Sequence, residues 1–86
     1  MKLLKDILYR VRIEQVVGST NTAIEKITFD SREVVAFTAF VAIKGTQVDG
    51  HAYIAKAIES GASTIICEDL PEVQKDGVTY VRVTNA

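Results

Sequence analysis

Residues 40–67 read FVAIKGTQVDGHAYIAKAIESGASTIIC, and this stretch decides the fold. Residues 40–43 are continuously apolar and run up to Lys44 and Gly45, the pattern of a strand covered on both faces. From residue 51 to 60 the periodicity becomes helical. Ile54, Ala57 and Ile58 share one face, and Lys56 and Glu59 lie on another. Asp49 stands where a carboxylate can accept a backbone N–H of the first turn, and Gly61 fits the left-handed position that closes a helix. Residues 63–67, Ser-Thr-Ile-Ile-Cys, form a second buried strand. Strand, helix and strand at this spacing make a β-α-β unit, which implies parallel pairing and a right-handed crossover.

Outward from this unit the signals are shorter. Leu3, Leu4, Ile7 and Leu8 recur at helical spacing with Lys2, Lys5 and Asp6 opposite them, which predicts a short amphipathic helix. Residues 11–17 are β-like and end in the turn material Gly18-Ser-Thr-Asn21. Ile27 and Phe29 alternate with Lys26 and Thr28, predicting a half-buried strand between residues 24 and 29. Residues 78–83 are rich in β-branched side chains and read as a last strand. Tyr53 and Tyr80 read as half-buried amphipathic residues. The expected fold is α/β: a small sheet with a parallel β-α-β unit, flanked by helices, in one domain over residues 1–86.

Composition removes several classes of function. Ten basic and eleven acidic residues without a cluster of either sign leave no electrostatic footprint for nucleic acid or an anionic membrane. No apolar run approaches the roughly 18–20 residues of a membrane span. Charges inside the apolar N-terminal segment argue against a secretory signal, so a cytoplasmic domain is expected. The single cysteine, Cys67, has no intrachain partner and reads as a small core hydrophobe. With one histidine it cannot build a zinc site, and no metal site is expected.

Two loops carry the chemistry. In Gly45-Thr-Gln-Val-Asp-Gly50-His51-Ala52 two glycines are separated by four residues, the spacing of a phosphate-binding P-loop. His51 and Ala52 stand where a working P-loop needs a lysine for the phosphates and a hydroxyl for magnesium, so ATP hydrolysis is not expected here. Two readings remain from the residues alone. The loop is a plain strand-to-helix turn, or its backbone N–H groups, with Thr46 and Gln47, receive another ligand beyond the strand's carboxyl end. The second loop is Phe29-Asp-Ser-Arg32, which places an aromatic ring, a hydroxyl and a guanidinium within four residues. It suits phosphate or base recognition, or equally a local turn with an Asp30–Arg32 ion pair. Nothing around His51 specifies a nucleophile or an orienting carboxylate, so it is not expected to be a catalytic base.

Taken together, Thr28-Phe-Asp-Ser-Arg-Glu-Val34, Phe40-Val-Ala-Ile-Lys-Gly45, Asp49-Gly-His51, Tyr53-Ile54, Ala57-Ile58 and Gly61-Ala62 resemble the N-terminal domain of the Mur ligase family. These are ATP-dependent amide-bond synthetases of peptidoglycan assembly. The resemblance covers residues 24–86 and is greatest to the MurE branch, with MurF as the nearest rival; a stand-alone small-ligand or interaction module is the alternative from another class. In MurE enzymes this domain holds the UDP end of UDP-N-acetylmuramoyl-L-alanyl-D-glutamate, to which the third stem residue is added. The resemblance therefore implies substrate contacts at Phe29, Ser31, Thr46, Gln47 and Val48. Asp49 and Gly50 would support the second loop, and Arg32 would either brace the first or touch the diphosphate. It further implies that ATP, magnesium and the catalytic residues belong to central and C-terminal domains absent from these residues. Alone, the 86 residues would then be catalytically silent. Two positions depart from the family. A Gly-Asp-like turn is replaced by Ala36-Phe-Thr-Ala39, so Phe37 is expected to pack inward, and Thr46 stands where a histidine or another polar residue is frequent.

Overall fold

A computed structural model describes residues 2–4, 13–19, 22–42, 50–71 and 74–84. Its main element is a five-stranded sheet of β2 (Ile13–Val17), β4 (Lys26–Thr28), β5 (Thr38–Val41), β6 (Thr64–Cys67) and β7 (Thr79–Val83), in spatial order β2-β7-β6-β5-β4. Strands β4, β5, β6 and β7 run parallel, and β2 adds antiparallel to β7. The expected β-α-β unit is present: β5 pairs with β6 in register Phe40 to Ile65, and helix α1 (Ile54–Glu59) lies between them in sequence. A 3-10 turn, Gly50–Tyr53, leads into that helix, so the regular α-helical part begins at Ile54. Tyr53 holds its N-cap position without a side-chain bond, and Asp49, the expected cap, lies outside the described residues.

The helix closes as its glycine requires. Gly61 has φ +114°, the Gly61 N–H donates to Ile58 O and the Ala62 N–H to Ala57 O. These are the paired bonds of a Schellman motif, which satisfy carbonyls that the ending helix would otherwise orphan. The reversal sets α1 down on one face of the sheet. There Val34, Phe40, Ala42, Ile54, Ala57, Ala62, Ile65, Cys67 and Tyr80 form a core, and burying each large side chain contributes about 1.5–3 kcal/mol. The opposite face is covered by a second cluster, in which Leu4 and Ile24 pack on Ala39, Ile66, Val81 and Val83. Both faces of β5 and β6 are thus dry, which is why residues 40–42 and 64–67 show no alternation in sequence.

Four expectations are corrected. The expected N-terminal helix does not include Lys2 and Leu3, which form a short strand, β1, antiparallel to β3 (Ala23–Ile24); Leu4 is helical, and residues 5–8 lie outside the described residues. The Leu4 N–H donates to Thr22 O at 2.8 Å, which docks Leu4 into the second core cluster. The alternation between residues 24 and 29 does not hold: Lys26 and Ile27 are both exposed, Ile27 to 51% and Phe29 to 73%, whereas Thr28 is buried. A break at Glu25 separates β3 from β4, and Thr28 is held inward because it pairs beside Phe40 and its hydroxyl bonds two neighbours. Phe37 does not pack inward. It is 48% exposed and has φ +60°, the left-handed conformation its glycine-like turn position demands. Tyr80 is fully buried rather than half-buried, because its hydroxyl can accept the Lys75 N–H at 2.9 Å.

Candidate functional site

Parallel pairing brings the ends of β4 and β5 to one edge. Thr28, the last residue of β4, is the register partner of Phe40, so Phe29 leaves the sheet next to Val41. The carboxyl ends of β4 and β5 therefore lie side by side, and the Phe29-Asp-Ser-Arg32 segment leaves from that edge, where open α/β sheets receive ligands. Of the expected contacts, Phe29, Ser31, Arg32 and Gly50 are described, whereas Thr46, Gln47, Val48 and Asp49 lie outside the described residues.

The first loop is built by hydrogen bonds from both sides. Asp30 caps the 3-10 turn Ser31–Glu33, its Oδ1 accepting the Arg32 backbone N–H at 2.9 Å. The same carboxylate accepts Arg32 Nε at 3.0 Å and Nη2 at 2.9 Å, a two-pronged fork. Led by the Arg32 side chain and then its backbone N–H, this network lowers the Asp30 carboxyl from 3.8 to about 2. The Arg32 guanidinium is correspondingly raised. Arg32 thus braces its own turn, as the ion-pair reading of the sequence proposed. Below it, the Thr28 hydroxyl accepts the Asp30 N–H and donates to Glu33 Oε2, and Lys26 Nζ donates to Glu33 O. These contacts leave the turn fixed and Phe29 turned outward with a half-buried Ser31 beyond it.

The second loop returns to the described chain at Gly50 and His51. His51 Nε2 accepts the backbone N–H of Glu68 at 3.0 Å and that of Asp69 at 3.2 Å. This contact was not legible in sequence, since nothing local marks an acceptor 17 residues from its donor. The residue standing at the P-loop lysine's position in sequence is thus engaged, through Nε2, by the protein backbone. Farther along the same edge, Glu14, Glu68, Asp69, Arg82, Val83 and Thr84 line an open cleft of about 370 Å³. Its shape owes something to a bulge in β2, where Glu14 is extra between the pairs Ile13–Val83 and Gln15–Arg82. Glu14 accepts the Thr84 hydroxyl, and Arg82 Nε donates to Glu68 O. Cys67 is buried behind this edge, and burial, with Asp69 as a second cause, pushes its thiol up to about 11.

Comparison with known proteins agrees with this architecture. The profile described as "Mur ligase family, catalytic domain" matches residues 23–86. A UDP-N-acetylmuramoyl-L-alanyl-D-glutamate–2,6-diaminopimelate ligase from Phocaeicola vulgatus is 46% identical over 99% of this chain and 17% of its own length. The enzyme of that name from Bacteroides thetaiotaomicron is 44% identical over 98% of the chain and again 17% of the relative. Among solved structures, MurF ligase from Thermotoga maritima in complex with ADP superimposes with TM-score 0.61 and 34% identity, over 74% of this chain and 14% of that one. MurF from Acinetobacter baumannii gives TM-score 0.64 and 27% identity over 72% and 13%. The chain thus spans about one-sixth of the length of the curated relatives it matches. Its parallel β-α-β unit and a profile match over most of its length make one case: the chain belongs to the Mur ligase family, matching the N-terminal region of its members.

Proposed function

We propose that these 86 residues are the UDP-binding domain of a MurE-type amide ligase, holding the nucleotide end of UDP-N-acetylmuramoyl-L-alanyl-D-glutamate. The observation that supports the reading is the register of Thr28 with Phe40, which puts the carboxyl ends of β4 and β5 beside each other, with the Phe29–Arg32 turn at that edge. Phe29 offers an exposed ring to a base, and Ser31 offers a hydroxyl to its polar rim or to a phosphate oxygen. Thr46, Gln47 and Val48 would complete the contact, with Asp49 and Gly50 shaping that loop. Arg32 supports the site by fixing the turn that carries Ser31.

The diaminopimelate ligases, matched over nearly the whole chain, favour MurE over MurF and suggest diaminopimelate as the amino acid added by the complete enzyme. Peptidoglycan synthesis would place that enzyme in the cytoplasm, and no described helix is long and apolar enough to cross a membrane. The residues present do not fit ATP and magnesium, because His51 and Ala52 replace the lysine and hydroxyl such a site needs and His51 Nε2 is engaged by Glu68 and Asp69. ATP, magnesium and the acyl-transfer chemistry are therefore assigned to the remainder of the ligase, and these residues alone would not turn over substrate. Calorimetric titration of Ser31→Ala with UDP tests the site. A loss of about 0.5–1.5 kcal/mol relative to the native chain is expected for one ligand hydrogen bond. Unchanged affinity would assign Ser31 to the turn alone.

A further inference from the structure

Two consecutive backbone N–H groups, those of Glu68 and Asp69, converge on His51 Nε2 at 3.0 and 3.2 Å. They belong to the first two residues after β6, where the chain leaves the carboxyl edge. Accepting from both requires the Nε2 lone pair, so the ring proton sits on Nδ1 in this arrangement. The other side of the Glu68 peptide is held as well, its carbonyl accepting Arg82 Nε at 3.3 Å. The exit of β6 is therefore gripped between β7 and the 3-10 turn Gly50–Tyr53. That turn leads directly into α1, and α1 packs against the Ser31–Glu33 turn. One imidazole thus ties the exit of β6 to the turn that starts α1, the helix against which the Ser31–Glu33 turn packs.

We infer that His51 is a positioning residue for the uridine-diphosphate site. It acts through the backbone it clamps, setting the start of α1, and with it the Ser31–Glu33 turn that packs on α1, against the carboxyl edge of the sheet. The inference rests on the UDP-binding reading above. The geometry also says which replacement can substitute for it. A glutamine side chain carries its amide oxygen about as far from the backbone as His Nε2 and can accept both N–H groups. An asparagine reaches only as far as Nδ1 and cannot.

The test uses the 86-residue chain with UDP as the probe and compares His51→Ala, His51→Asn and His51→Gln, with amide NMR following both ligand and fold. In the native chain, a scalar coupling across the hydrogen bond between the Glu68 amide nitrogen and His51 Nε2 is expected. Alanine and asparagine should weaken UDP binding about three- to tenfold, the equivalent of losing one or two modest hydrogen bonds, while glutamine stays within about twofold of the native chain. If all three variants bind UDP like the native chain and only melt earlier, His51 is purely structural and the inference fails while the site reading stands. If glutamine binds as weakly as alanine, the two-acceptor clamp is not what matters and the inference also fails. If the native chain itself does not bind UDP, the site reading fails and takes the inference with it. Should alanine fail to fold, the asparagine–glutamine difference and the coupling decide alone.

Discussion

Replacing Gly61 by alanine should be one of the most damaging single-methyl changes in this domain. Two separate effects act there. Gly61 has φ +114°, where an L-residue is disfavoured by about 1–2 kcal/mol. An added Cβ would also lie 3.1 Å from Ala36 N, and 3.3 Å from both Ala36 Cα and Val35 C, so backbone rather than a flexible side chain must give way. Together these should remove about 2–4 kcal/mol, a large part of the roughly 4–13 kcal/mol expected for a domain of this length. Gly77 supplies the control. It too has a positive φ, +87°, but nothing lies within 4 Å of a Cβ built there. Gly77→Ala should carry only the dihedral cost of about 1–2 kcal/mol, and the excess loss in Gly61→Ala measures the squeeze against residues 35 and 36. Urea unfolding with a shared slope is the assay, since a midpoint shift then reports stability alone. For so small a domain the Gly61 variant should melt at least about 8 °C lower. Equal losses for the two variants would refute the close approach. A gain at Gly61, as alanine gives where φ is negative, would refute the helix termination itself.

At Phe37, with φ +60°, the usual ranking of alanine over glycine should reverse, Phe37→Gly being more stable than Phe37→Ala by about 1 kcal/mol; the ordinary order would contradict the left-handed turn. The Asp30 carboxyl should titrate near 2, below its ordinary 3.8, when followed by carboxyl carbon NMR. Because its folded value is depressed, whatever the Arg32 fork contributes to folding is present above about pH 3.8 and lost as pH falls through about 2. A midpoint near 3.8 would show that the fork does not form in solution. Cys67, buried and raised to about 11, should resist a thiol reagent at pH 8 in the native chain and react fully in denaturant. Rapid native modification would mean that β6 is not covered on both faces.

The β-α-β unit was readable because each of its parts has a local cause. Residues 40–42 are apolar without alternation because β5 is covered twice, and Gly61 announces a reversal that only it makes cheaply. The family motif at Phe29–Arg32 pointed to a turn that the parallel register puts beside the end of β5. What escaped the sequence was decided by distant partners. Thr28 is inside and Phe29 outside because β4 is an edge strand whose threonine hydroxyl meets Asp30 and Glu33. Leu3 lies in a strand just before the helical Leu4 because Ala23 offers it a partner. Tyr80 could be buried whole because the Lys75 N–H waits at its hydroxyl. His51 illustrates the same limit within the site. Its position after Gly50 suggested a failed lysine, whereas its use is set by two backbone N–H groups on another strand's exit.

In the proposed function, the Phe29–Arg32 turn and the Gly45–His51 segment hold the uridine-diphosphate end of a substrate. Amide NMR of the labelled chain during titration with UDP, with ATP as the control, tests it most directly, and it tolerates millimolar binding. The account predicts UDP-selective shifts confined to residues 29–32 and 45–51. Equal shifts with ATP, shifts at other strands, or none at saturating UDP would contradict it.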